Sequence, residues 1–325
     1  MQREDIYPKR RLAMCLAGSL AVLLLGSAAL GDVYPYYPEI STKYLVNPRE
    51  NALAISADGM YVAVGDNAPY AAGLEVYSHY GYTRGDLVAS WQPATPDWYA
   101  LAMAPAFADP GHFWVLHANG ARSRFEPSLG APLEQTGIPP TPNPVMRYCD
   151  LDVDSYDRQY FTYLTVLPNW NIELAIVTRY DPLSDQYVDR LVASGTSAKY
   201  CPLVSYDQVE DEVVVLTQPE NPSNTPAQLK RMTPALNLLS ICYFSLEEWW
   251  FSDIAVSGGW ATFLNYDRVS DETRMRTRST STLFEDDNIV VPYTFSLAVN
   301  PGNQYAFLAV QPGSGFAARN YVIWH

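Results

Sequence analysis

The amino-acid sequence predicts an all-β fold, a six-bladed β-propeller of four-stranded antiparallel blades whose last blade is completed by the N-terminal strand. The first observation is a strand–turn–strand unit that recurs about every 50 residues. The second is the composition, since aromatic residues reach 13% of the chain and charged residues only 17%, a mix typical of strands. The third is that no stretch carries a capped apolar period of a helix.

The clearest copy of the repeated unit runs from Leu53 to Val64, where two apolar strands flank an Asp-Gly turn. In the other copies an apolar anchor residue marks the first strand, and an aromatic residue precedes it in most of them. The anchors are Leu53, Leu101, Leu151, Leu203, Ile254 and Leu297. Their spacings of 48, 50, 52, 51 and 43 residues match the period of a four-stranded propeller blade.

These spacings define one domain, residues 32–325. The expected blades are 51–98, 99–147, 148–199, 200–249, 250–294 and 295–325, the last together with 32–50. The last unit has 31 residues and segment 32–50 has 19, which together make one blade of 50. Sharing a sheet between the two termini removes the exposed edges of an open ring. The proline-rich end of the second unit is predicted to be a loop.

Residues 1–31 have the pattern of a signal peptide. Basic residues at positions 9 to 11 precede an apolar run, and small residues follow it up to Gly31, after which cleavage is expected. An uncleaved signal anchor is the alternative. We therefore expect a secreted or periplasmic protein, and the absence of N-glycosylation sequons favours a bacterial route.

The charge of the chain limits its partners. The formal net charge is −14, and removal of the leader, with four basic and two acidic residues, makes it −16. Such a charge excludes nucleic acid and anionic lipid as favoured partners. No later stretch is long and apolar enough to span a membrane. The expectation is a monomer that binds a protein or carbohydrate ligand.

The unit from Leu53 to Val64 resembles the strand–Asp-Gly–strand core of YncE-like and NHL-like propeller repeats. The segment from Leu151 to Asp154, followed by Tyr160, resembles the same core. The resemblance covers essentially all of residues 32–325. It implies a propeller fold and no single activity, because one fold carries many functions. The Trp-Asp pair of WD40 blades, the Tyr-Trp-Thr-Asp core of receptor propellers and a full Asp-box are missing.

Acidic residues interrupt the small residues of the predicted first strands. The positions beside the anchors hold alanine in units one and two, whereas unit three has Asp150 and Asp152 and unit five has Asp253. Carboxylates crowded near the axis are expected to repel one another and to have raised pKa values. Three interpretations stay open: oxygen ligands for a hard cation such as Ca²⁺, carboxylates solvated in a channel, or ion pairs with Arg147 and Lys199.

Two cysteines form a second informative pair. Cys149 and Cys201 each lie two residues before an anchor, in adjacent units. An exported protein permits a disulfide between them if their Cα atoms lie within about 7 Å. Two buried thiols are the alternative.

Aromatic residues near the ends of the predicted blades offer a binding surface, because exposed rings stack on sugars or contact protein partners. The candidates are Trp91, Trp98, Tyr99, Trp170, Trp249 and Trp250. Packing between blades is the alternative for most of them.

Two functions from different classes follow. The first is a non-enzymatic scaffold that presents a loop-built face to a protein or glycan; it is favoured because no nucleophile-elbow, zincin or phosphate-loop motif is present, and no catalytic residue is predicted. The second is a hydrolase similar to the six-bladed Ca²⁺-dependent lactonases and gluconolactonases, with a Lewis-acid metal on Asp150, Asp152 and Asp253. Those families also use a Glu and Asn residues around the axis, and the first strands here show no counterparts.

Overall fold

The structure is a computed structural model. It describes residues 52–66, 73–79, 86–92, 100–137, 146–166, 172–195, 200–219, 225–246, 248, 250–267, 272–290, 294–299, 305–311 and 319–324. In this part of the chain, no helix has the length and apolar character needed to cross a membrane.

The described strands form antiparallel sheets in which neighbours in the chain are neighbours in the sheet. Blade one is β1 (Leu53–Ile55), β2 (Tyr61–Asp66), β3 (Gly73–Ser78) and β4 (Leu87–Trp91). Blade two is β5 (Ala100–Pro105), β6 (Phe113–His117), β7 (Arg122–Phe125) and β8 (Glu134–Thr136). Blade three is β9 (Met146–Val153), β10 (Gln159–Val166), β11 (Ile172–Asp181) and β12 (Gln186–Ser194).

The remaining sheets repeat this order. Blade four is β13 (Leu203–Asp207), β14 (Glu212–Thr217), β15 (Gln228–Met232) and β16 (Leu238–Tyr243). Blade five is β17 (Phe251–Ser257), β18 (Trp260–Asp267), β19 (Glu272–Ser279) and β20 (Glu285–Val290). The last sheet is β21 (Thr294–Val299), β22 (Tyr305–Gln311) and β23 (Arg319–Trp324).

The first strand of each sheet lies next to the first strand of the following sheet, and β21 returns to contact β1. The sheets therefore stand around a common axis, which is the arrangement of a propeller. The prediction of an all-β propeller with four-stranded antiparallel blades is confirmed.

The number of complete blades differs from the prediction. Five sheets have four strands, against six predicted blades, and the last sheet has three strands within the described residues. The strand predicted to complete it, in 32–50, and the leader 1–31 lie outside the described residues.

Two outer strands differ from the predicted ones. Strand β8, Glu134–Thr136, was not predicted; its three polar residues pair with β7 at an exposed blade edge. The predicted proline-rich loop, at 139–144, lies outside the described residues. Strand β20 spans Glu285–Val290, earlier in the chain than the predicted 289–293. It pairs with β19 through polar as well as apolar residues. Its polar residues do not show the apolar pattern from which the other strands were predicted.

β-Bulges recur in the inner strands. The registers of β5, β9, β17 and β21 each skip one residue, namely Leu101, Cys149, Ser252 and Phe295. A bulge re-aims the residues that follow it. Because Leu101 is the bulged residue of β5, Met103 rather than Leu101 takes the place of Leu151 beside the axis.

The hydrophobic core lies between neighbouring sheets. Between blades three and four, for example, Leu164 and Val177 pack with Val204 and Val213 in one buried cluster. Where blades one and two meet, the packing around Gly65 tolerates only a small residue. A Cβ atom on Gly65 would lie 2.7 Å from the Cβ atom of Ala52 and 2.8 Å from that of Ala100, which is closer than real contacts allow.

Candidate functional site

A small pocket of about 50 Å³, partly open to solvent, lies on the axis of the propeller. Inner strands from all the sheets contribute to its wall. That wall is aliphatic except for Asp150, Asp152, Asp253 and Ser205. The structure therefore brings together the three acidic residues that the sequence singled out.

The inner strand of a blade is an edge strand, so part of its backbone has no partner within its own sheet. Two carboxylates of blade three accept hydrogen bonds from the inner strand of blade four. Oδ2 of Asp150 accepts a hydrogen bond from the N–H of Val204 at 2.7 Å. Oδ2 of Asp152 accepts bonds from the N–H of Tyr206 at 2.6 Å and from the hydroxyl of Ser205 at 3.0 Å. The Oδ1 atom of each accepts the N–H of the next residue in its own strand.

Asp253 repeats this arrangement one step further round the axis. Its Oδ2 accepts bonds from the N–H of Leu297 at 2.6 Å and from the hydroxyl of Ser296 at 2.9 Å. Ser205 connects blades four and five, because its Oγ accepts the N–H of Val256 at 3.0 Å. The inner strands of blades three to five and the last sheet are thus joined in series by polar side chains.

Burial raises the pKa values of these carboxyls. Asp150 and Asp253 are only 4% and 3% exposed. Desolvation raises the pKa of Asp150 well above its usual range, and the charge of Asp253 raises it further. Desolvation also raises the pKa of Asp253 to about 7 and that of Asp152 to about 6, although backbone hydrogen bonds oppose both shifts.

The interpretation of solvated channel acids is wrong for Asp150 and Asp253, because both side chains are buried against aliphatic neighbours. Oδ2 of Asp150 and Oδ2 of Asp152 accept hydrogen bonds from backbone amides and a hydroxyl of blade four, and an ion pair with Arg147 stays a prediction. Lys199 lies outside the described residues.

The donor set does not fit a calcium ion as it stands. Each of the three Oδ2 atoms already accepts an N–H from the neighbouring inner strand, so a cation would have to share these oxygens with hydrogen-bond donors. Among the residues that the structure describes, no group of three or more His, Cys, Asp and Glu side chains is placed to hold a metal ion.

Cys149 and Cys201 are side-chain neighbours, as their equivalent positions predict. Both are free thiols in this structure. Burial and the hydrogen bond with Cys201 raise the pKa of the Cys149 thiol, and its Sγ donates to the carbonyl oxygen of Arg147 at 3.4 Å. The disulfide stays a prediction.

Two of the candidate aromatic residues are described. Trp91 packs between blades one and two, with ring centroids 5.0 Å from Phe125 and 6.2 Å from His117. Trp250 is 40% exposed and has a positive φ of 62°. The other candidates, Trp98, Tyr99, Trp170 and Trp249, lie outside the described residues.

At one end of the propeller, the turns between first and second strands are tied to one another. The N–H of Asp58, in blade one, donates to the carbonyl oxygen of Pro110, in blade two, at 3.1 Å. The N–H of Phe107, in blade two, donates to Oδ1 of Asp157, in blade three, at 2.7 Å.

The same ties continue through blades four and five. Nε2 of Gln208 donates to the carbonyl oxygen of Val153 at 2.8 Å, and the N–H of Gly259 donates to Oδ2 of Asp207 at 2.6 Å. Because antiparallel strands alternate in direction, the turns between third and fourth strands lie at this end too. We call this end, with both sets of turns, the turn face.

Three turns in blades three and four share a geometry that presents an apolar side chain. Each begins with an Asp whose Oδ1 accepts the N–H of the residue two positions later, at 2.9 to 3.0 Å. The residues so placed are Tyr156, Leu183 and Val209, which are 67%, 90% and 65% exposed. We call these three the tip residues.

The tip residues were not among the sites predicted from the sequence. The available signal was a repeated spacing, Asp-x-apolar, at 154–156, 181–183 and 207–209. Isolated apolar residues within polar turns form no periodic pattern. The Asp-x-apolar spacing gains meaning only when the folded structure shows that all three residues lie on the turn face.

Comparison with known proteins supports the fold alone. No family model matches the chain, and no curated protein matches it. A luciferin-regenerating enzyme is similar in structure with a TM-score of 0.61 at 10% identity, covering 88% of this chain and 92% of that one. A gluconolactonase from Xanthomonas campestris has a TM-score of 0.59 at 13% identity, covering 88% and 87%.

The WD40 repeats of RRP9 have a TM-score of 0.52 at 11% identity, covering 87% of this chain and 96% of that one. Enzymes and a WD40 protein thus share this architecture at identities too low to carry an activity across. The chain is a propeller similar to all three.

Proposed function

We propose that this protein is an exported, six-bladed propeller that binds a protein or glycan ligand and does not chemically transform it. The observation that carries the proposal is the repeated turn geometry of blades three and four, which holds the large apolar tip residues in solvent on one face. Ordered exposure of several apolar side chains on one side of a molecule is typical of an interaction site.

The axial acids support the same proposal. Asp150, Asp152 and Asp253 hydrogen-bond to the backbone of neighbouring blades. Their position is explained by the need of inner edge strands for acceptors. The sixth blade is part of the proposal: within the described residues the last sheet contacts β1 and has three strands, and we assign its fourth strand to 32–50.

The export part of the proposal has its own measurement. The mass of the protein isolated from a periplasmic or culture fraction is expected to correspond to a chain that begins at Asp32. In that oxidising compartment we also expect Cys149 and Cys201 to form the disulfide. A mature protein that keeps residues 1–31, or one whose two thiols react with a thiol reagent before reduction, would contradict the corresponding part.

One observation favours a second function, a Ca²⁺-dependent lactonase: the axial pocket holds three carboxylates, and a gluconolactonase is among the similar structures. This alternative requires a cation to share the carboxylate oxygens with the N–H groups of the neighbouring blades. Calcium should then raise the melting temperature and a chelator should lower it.

The deciding experiment compares binding with turnover on the purified full-length mature chain. A peptide display library and a glycan array test for a saturable ligand, while a panel of lactones with and without Ca²⁺ tests for hydrolysis. We expect saturable binding, no hydrolysis and no calcium-dependent melting. Lactone turnover that Asp152→Ala abolishes would overturn the scaffold proposal.

A further inference from the structure

Within blade three, the turns that carry Tyr156 and Leu183 leave the sheet at the same level. The pairing places Val153 opposite Gln159 and Gln159 opposite Tyr180, so the strands of both turns end level with each other. Adjacent strands are about 4.8 Å apart, which separates the centres of the two turns by about 10 Å. A single extended ligand segment can therefore contact both tips.

The tip of blade four is attached to the same site. Gln208, the neighbour of Val209, donates from Nε2 to the carbonyl oxygen of Val153 at 2.8 Å. Beneath the turns, the rings of Tyr160 and Tyr206 stack with centroids 5.2 Å apart. The three tip residues thus stand on one rigid base that spans blades three and four.

Acidic residues outnumber basic ones in the three turns that carry the apolar tips, while Arg179 and Arg190 donate to carbonyl oxygens of the neighbouring turn of blade four. Segments 154–158, 181–185 and 207–211 contain seven acidic residues and a single basic one, Arg158. Asp185, Glu210 and Asp211 are exposed. Arg158 is bound at Nε by Oδ2 of Asp154 at 2.5 Å, so its charge is compensated within the turn.

We propose that the tip residues and the exposed acids around them bind a cationic polypeptide segment that carries apolar side chains, an inference that rests on the scaffold function proposed above. Arginine or lysine of the ligand pairs with Asp185, Glu210 and Asp211, and its apolar side chains cover the tips. A second copy of this chain does not fit, because it would bring the same acids face to face on molecules of net charge −14.

The turn geometry explains why such a site can be rigid. The first Asp of each turn is held by the N–H of the tip residue, and the turns bend through positive φ at Asp157, Asp185 and Asp211. A pre-ordered surface loses little conformational entropy when a ligand binds. The ligand segment itself need not be folded beforehand.

The test uses the full mature chain and three short fluorescent peptides in an anisotropy titration. One peptide contains arginine, leucine and glycine; serine replaces leucine in the second, and glutamate replaces arginine in the third. We expect the arginine–leucine peptide to bind at least about tenfold more tightly than either other peptide. Its affinity should fall as salt is raised, because charge attraction is screened.

Paired variants separate this site from general attraction to an acidic protein. Leu183→Ser with Val209→Ser keeps every charge and should weaken binding on the order of tenfold. The matched control, Leu191→Ser with Leu246→Ser, removes two leucines that are 54% and 48% exposed. One lies within the outer strand β12 and the other beyond the far end of β16, so this pair should leave binding unchanged.

A second pair tests the acids. Asp185→Asn with Asp211→Asn retains acceptors for Tyr180 and Tyr206 and tolerates positive φ, yet should weaken binding severalfold. Asp189→Asn with Glu272→Gln is the control with equal charge loss away from the tips. Equal effects of the tip and control variants on binding would overturn this inference. The scaffold proposal would still stand, because a ligand selected from the library could bind elsewhere on the protein. Failure of the whole scaffold proposal would appear instead as lactone turnover.

Discussion

At the scale of single residues, the buried acids at the axis look like catalytic or metal-binding groups, but the hydrogen bonds they accept from neighbouring blades explain their position better. Asp253 is 3% exposed, and its carboxylate joins β17 to the inner strand of the last sheet through Leu297 and Ser296. A buried acceptor that satisfies otherwise unpaired backbone N–H groups contributes to stability through them. Ionisation of the Asp253 carboxyl costs free energy, because the surrounding wall of the pocket is aliphatic.

Asp253 therefore makes stability depend on pH. Its pKa is raised to about 7 in the folded protein, above the value of about 3.9 for an unfolded chain. The folded state thus binds the proton more tightly, so this contribution is complete below about pH 4 and is lost as pH rises through about 7. Urea unfolding of the wild type should show a loss on the order of 1 kcal/mol or more between pH 5 and 7.

The Asp253→Asn variant has no proton to lose there, so its stability should be lower but change less across this interval. Asp189→Asn, on an exposed part of β12, should retain the pH dependence of the wild type. Equal slopes for wild type and Asp253→Asn would show that this carboxyl does not titrate in that range.

Gly120 provides a second test at the residue scale. Its φ is +86°, and a Cβ atom there would lie 2.2 Å from Cζ of Tyr148 in the next blade. Gly120→Ala should lower the free energy of unfolding by about 3 kcal/mol or more, because backbone strain adds to a clash with a buried ring. Gly195→Ala, at φ +59° with no atom within 4 Å, should cost only about 1 kcal/mol. Similar losses measured by denaturant unfolding would refute the proposed contact.

At the scale of elements, the turns act as connectors between blades as well as reversals within them. Asp207 ends β13 and is 1% exposed. Its carboxylate accepts the N–H groups of Gly258 and Gly259 in the next blade. It also accepts those of Val209 and Glu210 in its own turn.

Asp207→Ala should be strongly destabilising, because four N–H groups lose their acceptor. An expected loss is roughly 3 to 5 kcal/mol. Asp181→Ala is the matched control, since that half-buried carboxylate accepts the N–H of Leu183 within its own turn, and about 1 kcal/mol is expected there. Thermal and urea unfolding would measure both, and an Asp207→Ala variant as stable as Asp181→Ala would contradict the role in joining blades.

Most inner and middle strands could be predicted from sequence because they are buried on both faces and read as apolar runs ended by turn residues. The first strands at Leu53, Leu151 and Ile254 are examples. Strand β8 could not be predicted, since Glu134–Thr136 is exposed and polar. The bulge at Leu101 was also missed, because a single skipped residue leaves the hydrophobic pattern nearly unchanged while it shifts what faces the axis.

At the scale of the whole molecule, closure of the ring decides whether the last sheet leaves an unpaired strand edge. The last sheet contacts β1 and has three strands in the described residues. If 32–50 supplies its fourth strand, deleting that segment exposes a strand edge to pairing with other chains. Size-exclusion chromatography should show aggregation of the chain that begins at residue 51 and a monomer for the chain that begins at residue 32. A monomeric, equally stable truncation would disprove closure by this segment.

The class of fold, the period of the repeat and the clustering of Asp150, Asp152 and Asp253 at the axis could all be predicted from the chain alone. They follow from local rules: apolar alternation, turn chemistry and equivalent positions in successive repeats. What the acids contact, and which apolar turn residues share a face, became visible only in the folded protein. Both depend on atoms some 50 residues away, such as the N–H of Val204 for Asp150, and no local pattern in the chain records such neighbours.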